Sequence, residues 1–102
     1  MPPVEQNVLN ALEPVIDPEL GLSIVDLGLV YDVDITPEGA VQVTFTTTTP
    51  SCPLGEMIGY GIYRAVSRLS GVTGVSVRLV LDPPWSPDRL SPMAAERLAG
   101  VL

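Results

Sequence analysis

Residues 29 to 46 leave little freedom in how this chain folds. Leu29, Tyr31, Val33 and Ile35 alternate with Asp32 and Asp34, and Val41, Val43 and Phe45 alternate with Gln42, Thr44 and Thr46. Successive side chains of a strand point to opposite faces, so each stretch reads as a strand with one apolar and one wet face. TPEG, Thr36 to Gly39, joins them. Pro37 presets φ and Gly39 tolerates φ > 0, which makes the pair a hairpin.

After Pro53 the apolar period changes. Leu54, Ile58, Ile62, Ala65, Val66 and Leu69 form one stripe at helical spacing. Gly59 and Gly61 each weaken that helix by about 1 kcal/mol relative to alanine, so packing has to hold it. SGVTG, Ser70 to Gly74, ends it, and a third strand is expected with Val75, Val77, Leu79 and Leu81 inward and Ser76, Arg78 and Val80 outward. Upstream, Val4, Val8, Ala11, Leu12 and Val15 follow helical spacing, and Pro14 limits the regular part to about three turns. Pro18 and Gly21 break IDPELGLSIVDLGLV into a loop that crosses to the sheet. DPPWSPDRL reads as a rigid loop, and SPMAAERLA as a short helix with Ser91 at N-cap and Pro92 at N1. The expected architecture is α+β: one two-layer domain over residues 1–102, order α-β-β-α-β-α, with helices covering one face of a three-stranded sheet. The pattern leaves open whether the third strand lies beside the first or the second.

Composition narrows the function. Twelve acidic residues against five basic ones, all arginine, give a net charge of −7. Such a surface repels phosphate backbones, so no nucleic-acid partner is expected. Asp26 interrupts the apolar run from Leu20 to Tyr31, and a membrane span needs about 20 apolar residues, so no membrane association is expected. MPPVEQNVLNALEP has neither a basic n-region nor an apolar h-region, and one cysteine cannot form an internal disulfide; a reducing, cytoplasmic setting follows. Without histidine there is no Ser-His-Asp or Cys-His hydrolase and no imidazole ligand. The chain has no GxGxxG, P-loop or CxxC motif.

The remaining chemistry centres on TTTTPSCPLGEM, Thr46 to Met57. Pro53 suits the first position of the long helix, placing Cys52 at or near its N-cap. Unpaired N–H groups and the positive end of the helix dipole there favour thiolate over thiol. The hydroxyls of Thr46 to Thr49 and of Ser51 add donors for a sulfur or a bound anion. A lone cysteine is also commonly a buried small hydrophobe, and four threonines are good strand composition. Asp17 and Glu19, two residues apart around Pro18, can converge as a second chemical group or serve as turn and cap acids. Asp26 suits a satisfied structural role. Trp85 either packs its loop onto the domain or meets a partner. One cysteine cannot hold an iron–sulfur cluster alone, since clusters normally take about four protein ligands. Any metal at Cys52 is therefore shared with another subunit, a partner, a small thiol or nearby carboxylates.

DPELGLSIVDLGLVYDV, TFTTTTPSCPL and the later GV..V.V.LV.DPPWSPDRLS together resemble the iron–sulfur assembly family that contains SufT and PaaD, in order and over essentially the whole chain. The resemblance implies the fold of the C-terminal domain of NifU-type scaffolds. It also implies a non-enzymatic accessory role in maturing iron–sulfur proteins. By that resemblance Cys52 is the functional thiol and transient metal or cluster ligand, supported by Asp17, Glu19, Leu20, Thr48 and Thr49. No cofactor is held permanently; a cluster or iron is shared briefly with assembly proteins, client apo-proteins or a second copy of the chain. Ser51 stands where glycine is common in the family. The C-terminal cysteine-rich extension of many PaaD-type members does not follow Leu102, which favours a SufT-like role over an adaptor of a phenylacetyl-CoA oxygenase complex. A thiol enzyme using Cys52 with Asp17 or Glu19 as base ranks last, because carboxylates are poor bases for a thiol.

Overall fold

A computed structural model describes residues 1–49 and 52–99; the side chains of Cys52 and Pro53 also lie outside the described set. The elements run α1 (Glu5–Leu12), β1 (Val30–Ile35), β2 (Ala40–Phe45), α2 (Cys52–Ser67), β3 (Gly74–Leu79), a 3-10 turn (Pro87–Arg89) and α3 (Pro92–Arg97). The α+β order expected from the pattern is the order observed. The sheet order β1-β2-β3 answers the question the pattern left open. The short TPEG turn makes β1 and β2 antiparallel, and the α2 crossover makes β2 and β3 parallel.

Val41, Val43 and Phe45 of β2 are buried beneath the α2 stripe Leu54, Ile58, Ile62 and Val66, with Val8 and Leu12 of α1 in the same core. The opposite sheet face carries Asp32, Asp34, Gln42, Ser76 and Arg78, all exposed. α1 is shorter at its start than the apolar spacing suggests: Val4 is the N-cap residue and exposed, and Asn7 Oδ1 accepts from its backbone N–H at 2.9 Å. Ser91 caps α3 as expected, its hydroxyl accepting from the Ala94 N–H at 3.2 Å. Ala94 and Leu98 attach α3 to the core.

Two strand expectations fail for geometric reasons. The ladder shifts register between Val30 and Asp32, so Val30, not Tyr31, stands opposite Phe45. A bulge turns its extra residue away from the ladder. Tyr31 instead donates its hydroxyl to the Pro83 carbonyl at 2.9 Å, with the Arg89 guanidinium 4.3 Å above its ring. On β3, Val75 and Val77 are half-buried, but Leu79 and Leu81 are exposed. β3 is an edge strand, and β3 ends before Leu81.

Residues 82–91 return from β3 to the segment before β1. Trp85 Nε1–H donates to the Leu27 carbonyl at 2.6 Å, and the Ser91 N–H to the Asp26 carbonyl at 2.8 Å. The approach at Gly28 is close: its φ is +72°, and a Cβ there would stand 2.3 Å from the Arg89 carbonyl oxygen.

Candidate functional site

DPELG closes on itself. The Asp17 N–H donates to the Leu22 carbonyl at 2.9 Å, the Gly21 N–H to the Asp17 carbonyl at 2.8 Å, and Gly21 takes φ +72°. Ile16 and Ser23 form an antiparallel bridge beneath the turn. Asp17 is fully buried, and its Oδ1 accepts the N–H groups of Glu19 at 2.7 Å and Leu20 at 3.1 Å. This is the side-chain turn that aspartate before proline favours. It answers half of the carboxyl group. Oδ2 is equally buried and has no hydrogen-bond partner among the described residues. A buried polar oxygen left unmatched costs about 1–3 kcal/mol, so it calls for a reason beyond turn geometry.

The segment after β2 meets this turn. The Thr46 N–H donates to the Leu29 carbonyl at 2.8 Å, holding the strand end against the loop before β1. Thr46 and Thr47 are buried, Thr48 is half-buried and Thr49 exposed. Thr49 Oγ1 donates to Glu19 Oε1 at 3.1 Å, a contact across thirty residues of sequence. Thr47 Oγ1 donates to the Thr49 carbonyl. Each threonine has a single O–H proton, so Thr47 and Thr49 spend theirs inside the loop and have none for a sulfur or anion. That corrects the expectation for two of the five hydroxyls, Thr46 to Thr49 and Ser51, offered as donors. Thr48 makes no side-chain hydrogen bond among the described residues.

Of the expected site residues, Asp17, Glu19, Leu20 and Thr49 come together in one hydrogen-bonded unit, with Leu20 packed half-buried on the core. Cys52 follows Thr49 by three residues. At 3.8 Å per Cα step their Cα atoms are within about 11 Å. The backbone is already helical at Cys52, so the thiol residue opens α2 rather than preceding it. The Cys52 side chain and the Ser51 hydroxyl expected beside it lie outside the described residues.

Trp85 is half-buried and packs on the core as a loop anchor. Together with Leu81, Pro84 and Thr46 to Thr48 it lines a cavity of about 330 Å³ beside the threonine segment. This cavity, and the burial of Thr47 beside it, are features that sequence reasoning did not single out. Thr47 resembles its neighbours in sequence, and only burial separates it from Thr49. Among the described residues, no group of three or more aspartate, glutamate, cysteine or histidine side chains is placed to hold a metal. No helix of the described residues is long and apolar enough to cross a membrane.

Comparison with known proteins places this geometry in context. Residues 5–77 match the family model described as iron-sulfur cluster assembly protein. The chain is 43% identical over 88 residues to the Fe-S protein maturation auxiliary factor YitW of Bacillus subtilis, covering 86% of each. It is 40% identical over 98 residues to a component of the putative 1,2-phenylacetyl-CoA epoxidase of Escherichia coli, a match that covers 95% of this chain and 58% of that protein. The crystal structure of a domain of unknown function, DUF59, from Bacillus anthracis superimposes with a TM-score of 0.88 at 38% identity, covering 94% of this chain and 92% of that one.

Proposed function

From the premise that this chain belongs to the iron–sulfur cluster assembly protein family, we propose that it is an accessory factor in the maturation of iron–sulfur proteins. In this reading it carries or presents cargo rather than catalysing a reaction. Cys52 supplies one thiolate to iron or a cluster, which is the cargo and not a resident group. A single thiolate at a helix start holds such cargo weakly, because clusters normally take about four protein ligands. The other ligands come from the donor or the client, and handover consists of exchanging this one bond.

The observation that carries the reading is the Glu19–Thr49 hydrogen bond. It ties the acidic turn to the segment three residues ahead of the only cysteine. The turn is itself fixed by Asp17, so the chain up to Thr49 is held against a rigid support. A preorganised ligand loses less entropy on binding than a mobile one. Asp17 Oδ2, buried and unmatched among the described residues, is a further acceptor that the turn offers to an incoming group, beside the exposed Glu19 carboxylate.

Complementation tests this directly. A strain lacking the gene is supplied with the parent chain or with Cys52→Ser. The parent is expected to restore activity of iron–sulfur enzymes; the folded serine variant is not. Full restoration by Cys52→Ser would remove the thiol from the mechanism. The adaptor reading draws on the Escherichia coli epoxidase component, of which the chain covers 58%. Genomic neighbours separate the two: sulfur-mobilisation genes accompany a maturation factor, and ring-oxygenase genes accompany an adaptor.

A further inference from the structure

The sheet ends at β3 as an open edge. Among the described residues β3 pairs with β2 alone, so alternate N–H and C=O groups from Gly74 to Leu79 have no described strand on their outer side. Exposed edges are commonly blunted by proline, by inward charges or by a bulge. β3, GVSVRL, has no proline, continuous register with β2 and no charge in its inward row. Its inward row instead ends on Leu79, which is exposed.

α2 approaches this edge closely through its glycines. A Cβ at Gly55 would meet Leu79 Cδ2 at 2.9 Å, and one at Gly59 would meet Phe45 Cζ at 3.4 Å and Val77 Cγ1 at 3.8 Å. Beside this close approach, Gly55, Glu56 and Gly59 line a groove between α2 and β3, about 380 Å³ in volume and floored by Phe45, Val77 and Leu79. A separate, smaller hollow at Tyr63, Ser67 and Val75 lies at the start of β3. Tyr60 and Tyr63 stand exposed on the same helix.

The charge of this edge runs against the rest of the molecule. α2 with the residue after it, and β3, carry Arg64, Arg68 and Arg78 against Glu56 alone, three positive to one negative. α1 and β1 carry Glu5, Asp32 and Asp34 and no base. Arg78 lies on the wet face, and the Arg64 guanidinium sits 5.8 Å over the Tyr60 ring. In a chain of net charge −7, the one charged residue of the edge strand itself is a base, Arg78.

We propose that β3 and the α2 groove receive an extended segment of a partner protein, alternating apolar and acidic side chains, as a fourth strand. Strand addition supplies main-chain hydrogen bonds, while alternate side chains give specificity. The apolar ones enter the groove over Val77 and Leu79, and the acidic ones lie on the wet face near Arg78. A second copy docking β3 to β3 would oppose like charges, and two chains of −7 repel one another. The groove begins at Gly55 and Glu56, one turn into the helix that Cys52 opens, so a docked segment runs toward the start of α2. The docking surface itself depends on the edge and its charge, not on the sulfur.

The test uses the full chain, labelled with nitrogen-15, and a synthetic octapeptide alternating valine and aspartate. A second peptide replaces each aspartate with lysine. The aspartate peptide is expected to shift the amide signals of Val75, Val77 and Leu79 and of the α2 groove. It is expected to bind about tenfold more tightly than the lysine peptide at low salt. Arg64→Glu with Arg78→Glu, both exposed and tolerant of change, should abolish that preference. Cys52→Ser should bind as the parent does, so failure of docking and failure of the thiol mechanism are read separately. Equal binding of the two peptides, shifts confined to other surfaces, or sedimentation showing that a second copy occupies β3 would each overturn the proposal.

Discussion

Replacing Asp17 separates what holds the acidic turn from what the turn is for. Asp17→Ala removes the acceptor of two N–H groups, those of Glu19 and Leu20. Hydrogen bonds to a charged acceptor contribute about 1.5–3 kcal/mol each; the lower end suits these part-buried donors, giving about 3 kcal/mol. The same change removes the unmatched Oδ2, whose burial costs at least about 1 kcal/mol. The net loss is about 2 kcal/mol. Near the transition this corresponds to a fall in Tm of about 8–16 °C for a domain of this size. Asp17→Asn keeps an acceptor at Oδ1 and removes the buried charge, so its loss is expected to stay within about 1 kcal/mol. Urea unfolding followed by the fluorescence of Trp85, the only tryptophan, measures both. If Oδ2 serves incoming cargo, Asp17→Asn also loses maturation activity well beyond its change in stability. An alanine variant within about 0.5 kcal/mol of the parent would refute the view that this carboxyl group organises the turn.

Three further substitutions probe the frame around the site. Gly28→Ala combines a left-handed backbone with a Cβ 2.3 Å from the Arg89 carbonyl oxygen; a loss above about 2 kcal/mol is expected by chemical denaturation. Gly59→Ala should stabilise by about 0.5–1 kcal/mol through helix propensity, because its Cβ meets Phe45 at 3.4 Å; a higher urea midpoint checks it. Trp85→Phe leaves the Leu27 carbonyl without its 2.6 Å donor and should cost about 1 kcal/mol, read by circular dichroism since the fluorophore is gone.

Local signals made the element order legible. TPEG dictated the hairpin, the stripe from Leu54 to Leu69 dictated α2, and Ser91-Pro92 marked the start of α3. The bulge at Tyr31 was not legible, because its alternation with Val33 fits an unbroken strand equally well. What displaces it is the docking of the 82–91 loop, with the Pro83 carbonyl and Arg89 taking the ring. Exposure of Leu79 depends on β3 being the edge, and strand order is not a property of a single segment. In the site, Pro18 between Asp17 and Glu19 and the prolines on either side of Cys52 pointed to the acidic turn and the cysteine segment. Their union through Thr49 is a contact across thirty residues, which no local pattern encodes. The same limit applies to the hydroxyls: sequence counts donors, but only the folded loop shows that Thr47 and Thr49 have already committed theirs.

The most direct measurement is the rate at which an apo-iron–sulfur enzyme regains activity under anaerobic conditions, with iron and sulfide supplied through the parent chain or through Cys52→Ser. The parent chain should accelerate activation and retain iron and sulfide after desalting only in the presence of its donor or client. Cys52→Ser, with unchanged unfolding, should do neither. Equal acceleration by both chains would contradict the role assigned to this cysteine.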